Sequence, residues 1–458
     1  LKRPTFVIPK YFAYIAAFPI LITLSGFVTG VEQPLKWLFR LLFIWGGLAF
    51  FFSLFQHRLK QGRLDRILFI VVVSALLQGL VGVAQIWLQT DMPFWLPKLS
   101  NGVPSGLFQQ INNQATYQVT GIMIVAYLIT RPFIRFAKPW LKLLLILSVL
   151  CASFLVAVSG SRIGALTLIL GLLIIIPALW QRLKVNKKLV MLTVMALLVG
   201  VGVGLSTIQG SNSNSIDKTV AMQSGYSGSQ RLGIYSISLD LISQKPLYGH
   251  GINSFPSVWQ YSKPDFYQSH PNAILPPAFV VHPHNEIMLW LVEGGLTAGM
   301  GLLLFLIGTI LATRRMGWQY GGPYIAMILP IGLHTQVELP FYTSTIHWIL
   351  FLTLLLTINS RSLSVKKNRS SIPMNVTLKL VNVIFVGVSS LFLIHTLLSG
   401  RDFMNANQDQ ENNKIVFNYA KANPYFRGEI EWISMGSLMY SSMSNGNPNN
   451  VRYVAEWA

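Results

Sequence analysis

The sequence predicts an all-α polytopic membrane protein, with about 11 transmembrane helices and one large extracytoplasmic loop. Two observations carry that expectation. Apolar residues make up 52% of the 458 residues, and the mean hydropathy is +0.51. They are gathered into runs of about 20, the length a helix needs to cross the hydrocarbon core. The second observation is where the cations fall: Lys and Arg outnumber Asp and Glu by 35 to 15, and they cluster in alternate loops.

In chain order the apolar runs lie near 12–30, 35–55, 67–89, 115–130, 140–158, 163–180, 188–206, 286–312, 322–339, 343–359 and 377–399. The first is long and reads as a span rather than a cleavable signal peptide. The basic groups are Lys2, Arg3 and Lys10, then Arg58 to Arg66, Arg131 to Lys142, Arg182 to Lys188, Arg314 with Arg315, and Arg361 to Arg369. Cations concentrate on the cytoplasmic side of a membrane chain, so these loops and the N-terminus are expected inside. The net charge of +20 is then mostly topology, which argues against nucleic acid as a partner. An odd number of spans puts the C-terminus outside. Four segments follow: residues 1–206 with seven helices, the large loop 207–285, residues 286–400 with four helices, and a polar helical tail at 401–458. The chain opens on Leu1 and stops inside a helix-like run, which reads as a trimmed sequence. Cys151 is the one cysteine and lies in an apolar run, so no disulfide framework is expected.

The large loop divides by composition. Residues 209–230 are rich in Ser, Asn and Gly and read as disordered. From Arg231 to Ile242 apolar residues recur at helical spacing, which predicts an amphipathic helix lying on the membrane. A turn cluster, Tyr248-Gly249-His250-Gly251, follows, and the loop closes on His282-Pro283-His284-Asn285-Glu286.

Polar residues at the outer mouth admit a structural and a functional reading. Arg162, after the turn Ser159-Gly160-Ser161, is either a snorkelling side chain or an anion clamp, because a guanidinium binds phosphate in two-pronged fashion. Arg231 opens the loop helix and is either solvated or a second clamp. Arg40, inside the second span, is a weaker candidate for the same role. His284 is either an ordinary loop residue or a general base, since a neutral imidazole titrates near neutral pH. Asn285 would cap the next span. His282 and His250 read as structural and His270 as solvated. Zinc fits His282 and His284 poorly, because no third ligand accompanies them at metal spacing. Gln110 and Asn112, in an amide-rich stretch, cap a helix or bind sugar hydroxyls. His334 and Glu338 stand four residues apart on one expected helix face, before Tyr342, and either bond each other or dock an acceptor.

The ordered set Gln110-Ile111-Asn112, Ser159-Gly160-Ser161-Arg162, Arg231, Tyr248-Gly249-His250-Gly251 and His282-Pro283-His284-Asn285-Glu286 resembles the O-antigen ligase and O-antigen polymerase superfamily. The segment from His334 to Tyr342 and the polar tail are more similar to its protein-glycosylating branch, the bacterial O-oligosaccharyltransferases. That resemblance implies a GT-C-like glycosyltransferase of the bacterial inner membrane, with its active site on the periplasmic side. It implies transfer of a glycan from undecaprenyl diphosphate to a hydroxyl of a pilin-like protein, with inversion and with neither metal nor other cofactor. Arg162 and Arg231 would hold the diphosphate, His284 would orient or deprotonate the acceptor, and Gln110 with Asn112 would line the donor site. Asn285, His334, Glu338, Tyr342 and Arg40 would contribute further substrate contacts. An O-antigen polymerase or a lipopolysaccharide ligase would differ only in acceptor. A flippase for lipid-linked glycan is a remoter rival, because transporters show repeated halves and this chain shows none.

Overall fold

The computed structural model describes residues 6–31, 34–93, 96–99, 103–108, 110–208, 228–271, 273–276, 280–360, 363–366, 374–408, 419–446 and 448–457. Most of the stretch expected to be disordered, residues 209–227, lies outside the described residues. In order, the chain forms β1 (Phe6–Pro9), α1 (Phe12–Thr29), α2 (Pro34–Gln56), α3 (Gln61–Leu88), α4 (Ile111–Leu128), α5 (Pro132–Arg135), α6 (Pro139–Ser159), α7 (Arg162–Leu183) and α8 (Lys187–Ile208). The large loop carries α9 (Gly228–Gln244) and α10 (Phe255–Ser269). Then come α11 (Glu286–Arg315), α12 (Trp318–His334), α13 (Pro340–Thr343), α14 (Thr345–Asn359), β2 (Leu363–Lys366), α15 (Met374–Gln408), α16 (Arg427–Ser444) and α17 (Pro448–Trp457). The strands pair antiparallel, Phe6 opposite Lys366, and were not foreseen.

A helix occupies every apolar run read from the sequence. Among the described residues, six helical stretches are long and apolar enough to cross a membrane: Phe12–Thr29, Pro34–Gln56, Gln61–Asp91, Pro139–Ser159, Arg162–Thr207 and Glu286–Arg315. The architecture is thus all-α and polytopic. The expected count of spans additionally needs α4, which is polar, α12 and α14, which have only 17 and 15 residues, and α15. By contacts the chain forms a large unit, residues 5–32 with 40–367, and a smaller one, residues 33–39 with 368–458.

In the large unit α4 packs against α3, α6, α7 and α12. From Asn113 to Leu128 every residue of α4 except Ala126 is buried. A helix enclosed by other helices need not be apolar where lipid cannot reach it, provided its polar groups find partners. Accordingly Gln118 Nε2 donates to the Ala75 carbonyl at 3.0 Å, and Thr116 and Thr120 bond back along the helix. At the far end of α4, Asp65 of α3 is locked among Arg131 Nε at 3.0 Å, Gln61 Nε2 at 3.2 Å and the Tyr127 hydroxyl at 3.4 Å.

The apolar face of α9, expected from the sequence to lie on the membrane, is covered by protein. Ile234, Ile237 and Leu241 of α9 are buried against Phe255, Trp259 and Phe266 of α10 and against Leu289 and Val292 of α11. The loop thus has its own small core, and full burial of a side chain such as Phe255 is worth roughly 1.5–3 kcal/mol. The loop is also sewn to α11, which is interrupted at Gly295, φ 61° and ψ −160°. An interrupted helix leaves carbonyls and N–H groups without partners. The Val292 and Glu293 carbonyls accept from the N–H groups of His250 and Gly251, at 2.8 and 2.9 Å. In return the N–H groups of Leu296 and Thr297 donate to the Pro246 and Leu247 carbonyls, at 2.7 and 3.1 Å. Gly249, φ 71°, passes so close that a Cβ would lie 2.6 Å from the Glu293 and Gly294 backbone.

In the smaller unit, Asp402 of α15 accepts from the backbone N–H groups of Tyr419 and Ala420, and α16 packs on α17.

Candidate active site

Pro283 keeps the chain extended ahead of α11, and Asn285 begins that helix by accepting from Met288 N–H at 2.9 Å. Between them His284 is left in the left-handed region, φ 53°. For a residue other than glycine this costs on the order of 1–3 kcal/mol and recurs at functional sites. The strain is held by a backbone bond from His284 N–H to His282 Nδ1, 3.3 Å, and by a side-chain bond from His284 Nδ1 to Glu338 Oε2, 2.9 Å. Arg231, near the start of α9, reaches the other oxygen of Glu338 at 3.2 Å. Three distant segments thus meet on one carboxylate.

Burial pushes the Glu338 carboxyl upward. The hydrogen bond from His284 and the charges of His284 and Arg231 more than offset it, so the group stays below the ordinary carboxylate range. An ionised carboxylate only accepts, so in a neutral His284 ring the bond to Glu338 places the proton on Nδ1 and leaves the lone pair on Nε2. The His284 side chain is 31% exposed, Arg231 34% and Glu338 10%. Nε2 of His284 is therefore carried on a reachable ring backed by a largely buried carboxylate. His282 is pushed down to about 4, chiefly by burial and next by His284, and is neutral at physiological pH.

Other expected site residues serve the interior. α12 ends at His334, and the two side chains take different partners, Thr116 for His334 and His284 for Glu338. His334 is fully buried, with Nδ1 2.9 Å from Thr116 Oγ1. The oxygen of Asn285 caps α11 and its Nδ2 donates to the Gln336 carbonyl at 3.1 Å. Arg40 bonds the Tyr342 hydroxyl at 2.6 Å and Asn253 Oδ1 at 3.3 Å, faces Glu293 at 3.8 Å, and stacks over the Trp290 and Tyr342 rings. That guanidinium links α2, the loop and α11. The phenol of Tyr342 is correspondingly held, while its ring stays 39% exposed.

Asn112 accepts from Ser161 Oγ at 2.8 Å, tying the start of α4 to the cap of α7, where Arg162 stands exposed. Gln110 Oε1 is buried and finds no hydrogen-bond partner among the described residues. The next residue pairs show how these parts join. Asn113 Nδ2 donates to Thr343 Oγ1 at 2.9 Å, so the 334–344 segment touches α4 through His334 and Thr343, His284 through Glu338, and Arg40 through Tyr342.

Sequence reasoning missed two features. Glu338 is the partner of His284 rather than of His334, and it supplies the third potential metal ligand beside His282 and His284, all three ligand atoms within 4.8 Å of one another. A glutamate just before a Pro-aromatic turn at a span end was the available sign.

Comparison with known families gives two matches. Residues 147–306 match the family described as O-antigen ligase, and residues 324–458 match the family described as virulence factor membrane-bound polymerase, C-terminal. No curated protein matches the chain. The first match contains Arg162, Arg231 and His284, and the second begins in α12 and contains Glu338.

Proposed function

For a chain that belongs to the O-antigen ligase superfamily, we propose transfer of a glycan from a lipid diphosphate, undecaprenyl diphosphate, to an acceptor hydroxyl. The observation that carries this reading is the Arg231–Glu338–His284 array, at 3.2 and 2.9 Å. A hydroxyl is a poor nucleophile until its proton has a destination. His284 Nε2 takes that proton as the oxygen attacks the anomeric carbon. The bond from that carbon to the diphosphate breaks on the opposite face, and configuration inverts. Glu338 fixes the ring tautomer and stabilises the imidazolium that forms, as a carboxylate behind a catalytic histidine does.

The leaving diphosphate needs charge neutralisation. Arg231 uses one edge on Glu338, and a guanidinium has five donors. Arg162 sits at the first position of α7, where a cation is disfavoured by the helix dipole and an anion is welcomed. Phosphate between Arg162 and that helix end relieves the mismatch. Gln110 Oε1, buried without a partner, suits a donor sugar hydroxyl.

The acceptor is a protein hydroxyl of the pilin type, reached beside Tyr342 and Phe341 in the turn that follows Glu338. The basic loops orient the chain with its N-terminus in the cytoplasm and the site on the periplasmic face of the inner membrane. A second reading, polymerisation of lipid-linked glycan, is favoured by the match of residues 324–458 to a membrane-bound polymerase family. The test is incubation of the purified protein in liposomes with undecaprenyl-diphosphate glycan and a soluble pilin domain, read by intact mass. A pilin heavier by one glycan supports the first reading. Lengthened lipid-linked glycan with unmodified pilin supports the second, and neither product contradicts both.

A further inference from the structure

The cluster around His284 has a capability that glycan transfer does not use. His282, His284 and Glu338 each offer one ligand atom, and these atoms lie within 4.8 Å of one another. Around tetrahedral zinc, with bonds of about 2.0–2.1 Å, ligands stand roughly 3.3 Å apart. Small side-chain rotations close the difference, and the His284 Nδ1 to Glu338 Oε2 separation of 2.9 Å needs only a slight opening. Two imidazoles and one carboxylate form the donor set that first-row divalent ions of the zinc and copper class prefer. Two guanidinium groups lie near: Arg40 faces Glu293 at 3.8 Å, and Arg231 holds Glu338 Oε1 at 3.2 Å, which leaves Oε2, on the His284 side, for the ion. The side chains of His284 and Arg231, about a third exposed, give an ion a route from solvent.

We propose that His282, His284 and Glu338 bind one divalent transition-metal ion, and that the bound ion switches glycan transfer off. The inhibitory half rests on the base role of His284 given above; the binding half does not. Inhibition follows whichever nitrogen the ion takes. If it binds Nε2, the lone pair that receives the acceptor proton is occupied. If it binds Nδ1 beside Glu338, the single proton of the neutral ring must sit on Nε2, and the lone pair is again lost.

The test uses the full chain in detergent and one informative variant. His282→Asn removes a nitrogen ligand but keeps an acceptor for the His284 N–H, because an asparagine oxygen bonds the N–H two residues on. Zinc binding is followed by calorimetry, and cobalt binding by its visible absorption. The expected result is one ion per wild-type chain and affinity at least about tenfold weaker in His282→Asn. In the transfer assay zinc inhibits the wild type, a chelator restores activity, and His282→Asn tolerates about tenfold more zinc. Equal affinity in the two proteins, or no stoichiometric binding, overturns the site. Stoichiometric binding with unimpaired transfer overturns the switch. If the metal-free wild type transfers no glycan, the transferase reading and the switch fall together, while calorimetry still decides the site.

Discussion

Two carboxylates, Asp65 and Glu338, organise polar clusters joined to opposite ends of α4, and the contrast between them shows what separates a structural lock from a reactive site. Both pair with an arginine, at 3.0 and 3.2 Å. The remaining neighbours of Asp65 are an amide and a phenol, from Gln61 and Tyr127, and its side chain is 3% exposed. Such groups satisfy a buried charge and do not exchange protons near neutral pH. Glu338 has an imidazole instead, on a strained backbone and open to solvent. What distinguishes the Glu338 cluster is that the carboxylate's second partner is an imidazole that solvent can reach.

The comparison can be broken from either side. The largest effect is expected from His284→Ala, which should lower the transfer rate by roughly 10²–10⁴-fold in protein that still folds. Rate measurement on protein of matched melting temperature checks this. Asp65→Asn should do the reverse: it strands Arg131 and destabilises by about 3–5 kcal/mol, while transfer per folded molecule stays near wild type. Detergent-solubilised melting curves, with activity normalised to folded protein, decide it. Gly249→Ala forces a Cβ against the interrupted helix and should destabilise by roughly 1–3 kcal/mol, with loop amides 228–251 exchanging faster by hydrogen exchange. The floor of the comparison is the exposed pair Arg427–Glu431, 2.9 Å apart. Arg427→Ala there should shift stability by no more than about 1 kcal/mol.

Helix placement was legible because apolar runs report burial against lipid directly. The turn at Ser159-Gly160-Ser161 and the cap at Asn285 were legible for local reasons: a glycine with φ 59° and side chains that accept from nearby N–H groups. The pairing of His284 with Glu338 was not, since it joins residues 54 apart. Sequence spacing instead suggested His334 for Glu338, and that assumed a helix continuing past His334, which the approach to Pro340 prevents. The amphipathic pattern of α9 was read correctly as a helix with one apolar face. Periodicity cannot say whether protein or lipid covers that face, and here α10 and α11 cover it. The break at Gly295 was hidden for a similar reason, because hydropathy counts a Gly-Gly pair as ordinary span.

A double-mutant cycle on His284→Ala and Glu338→Gln, read as initial transfer rates in liposomes, tests the central claim most directly. A glutamine amide at position 338 can donate to Nδ1 and so favours the wrong tautomer, and Glu338 acts only through His284. The predicted result is a large loss in each single variant and a double variant no slower than His284→Ala. Losses that multiply, or a Glu338→Gln protein with wild-type rate, would contradict the account.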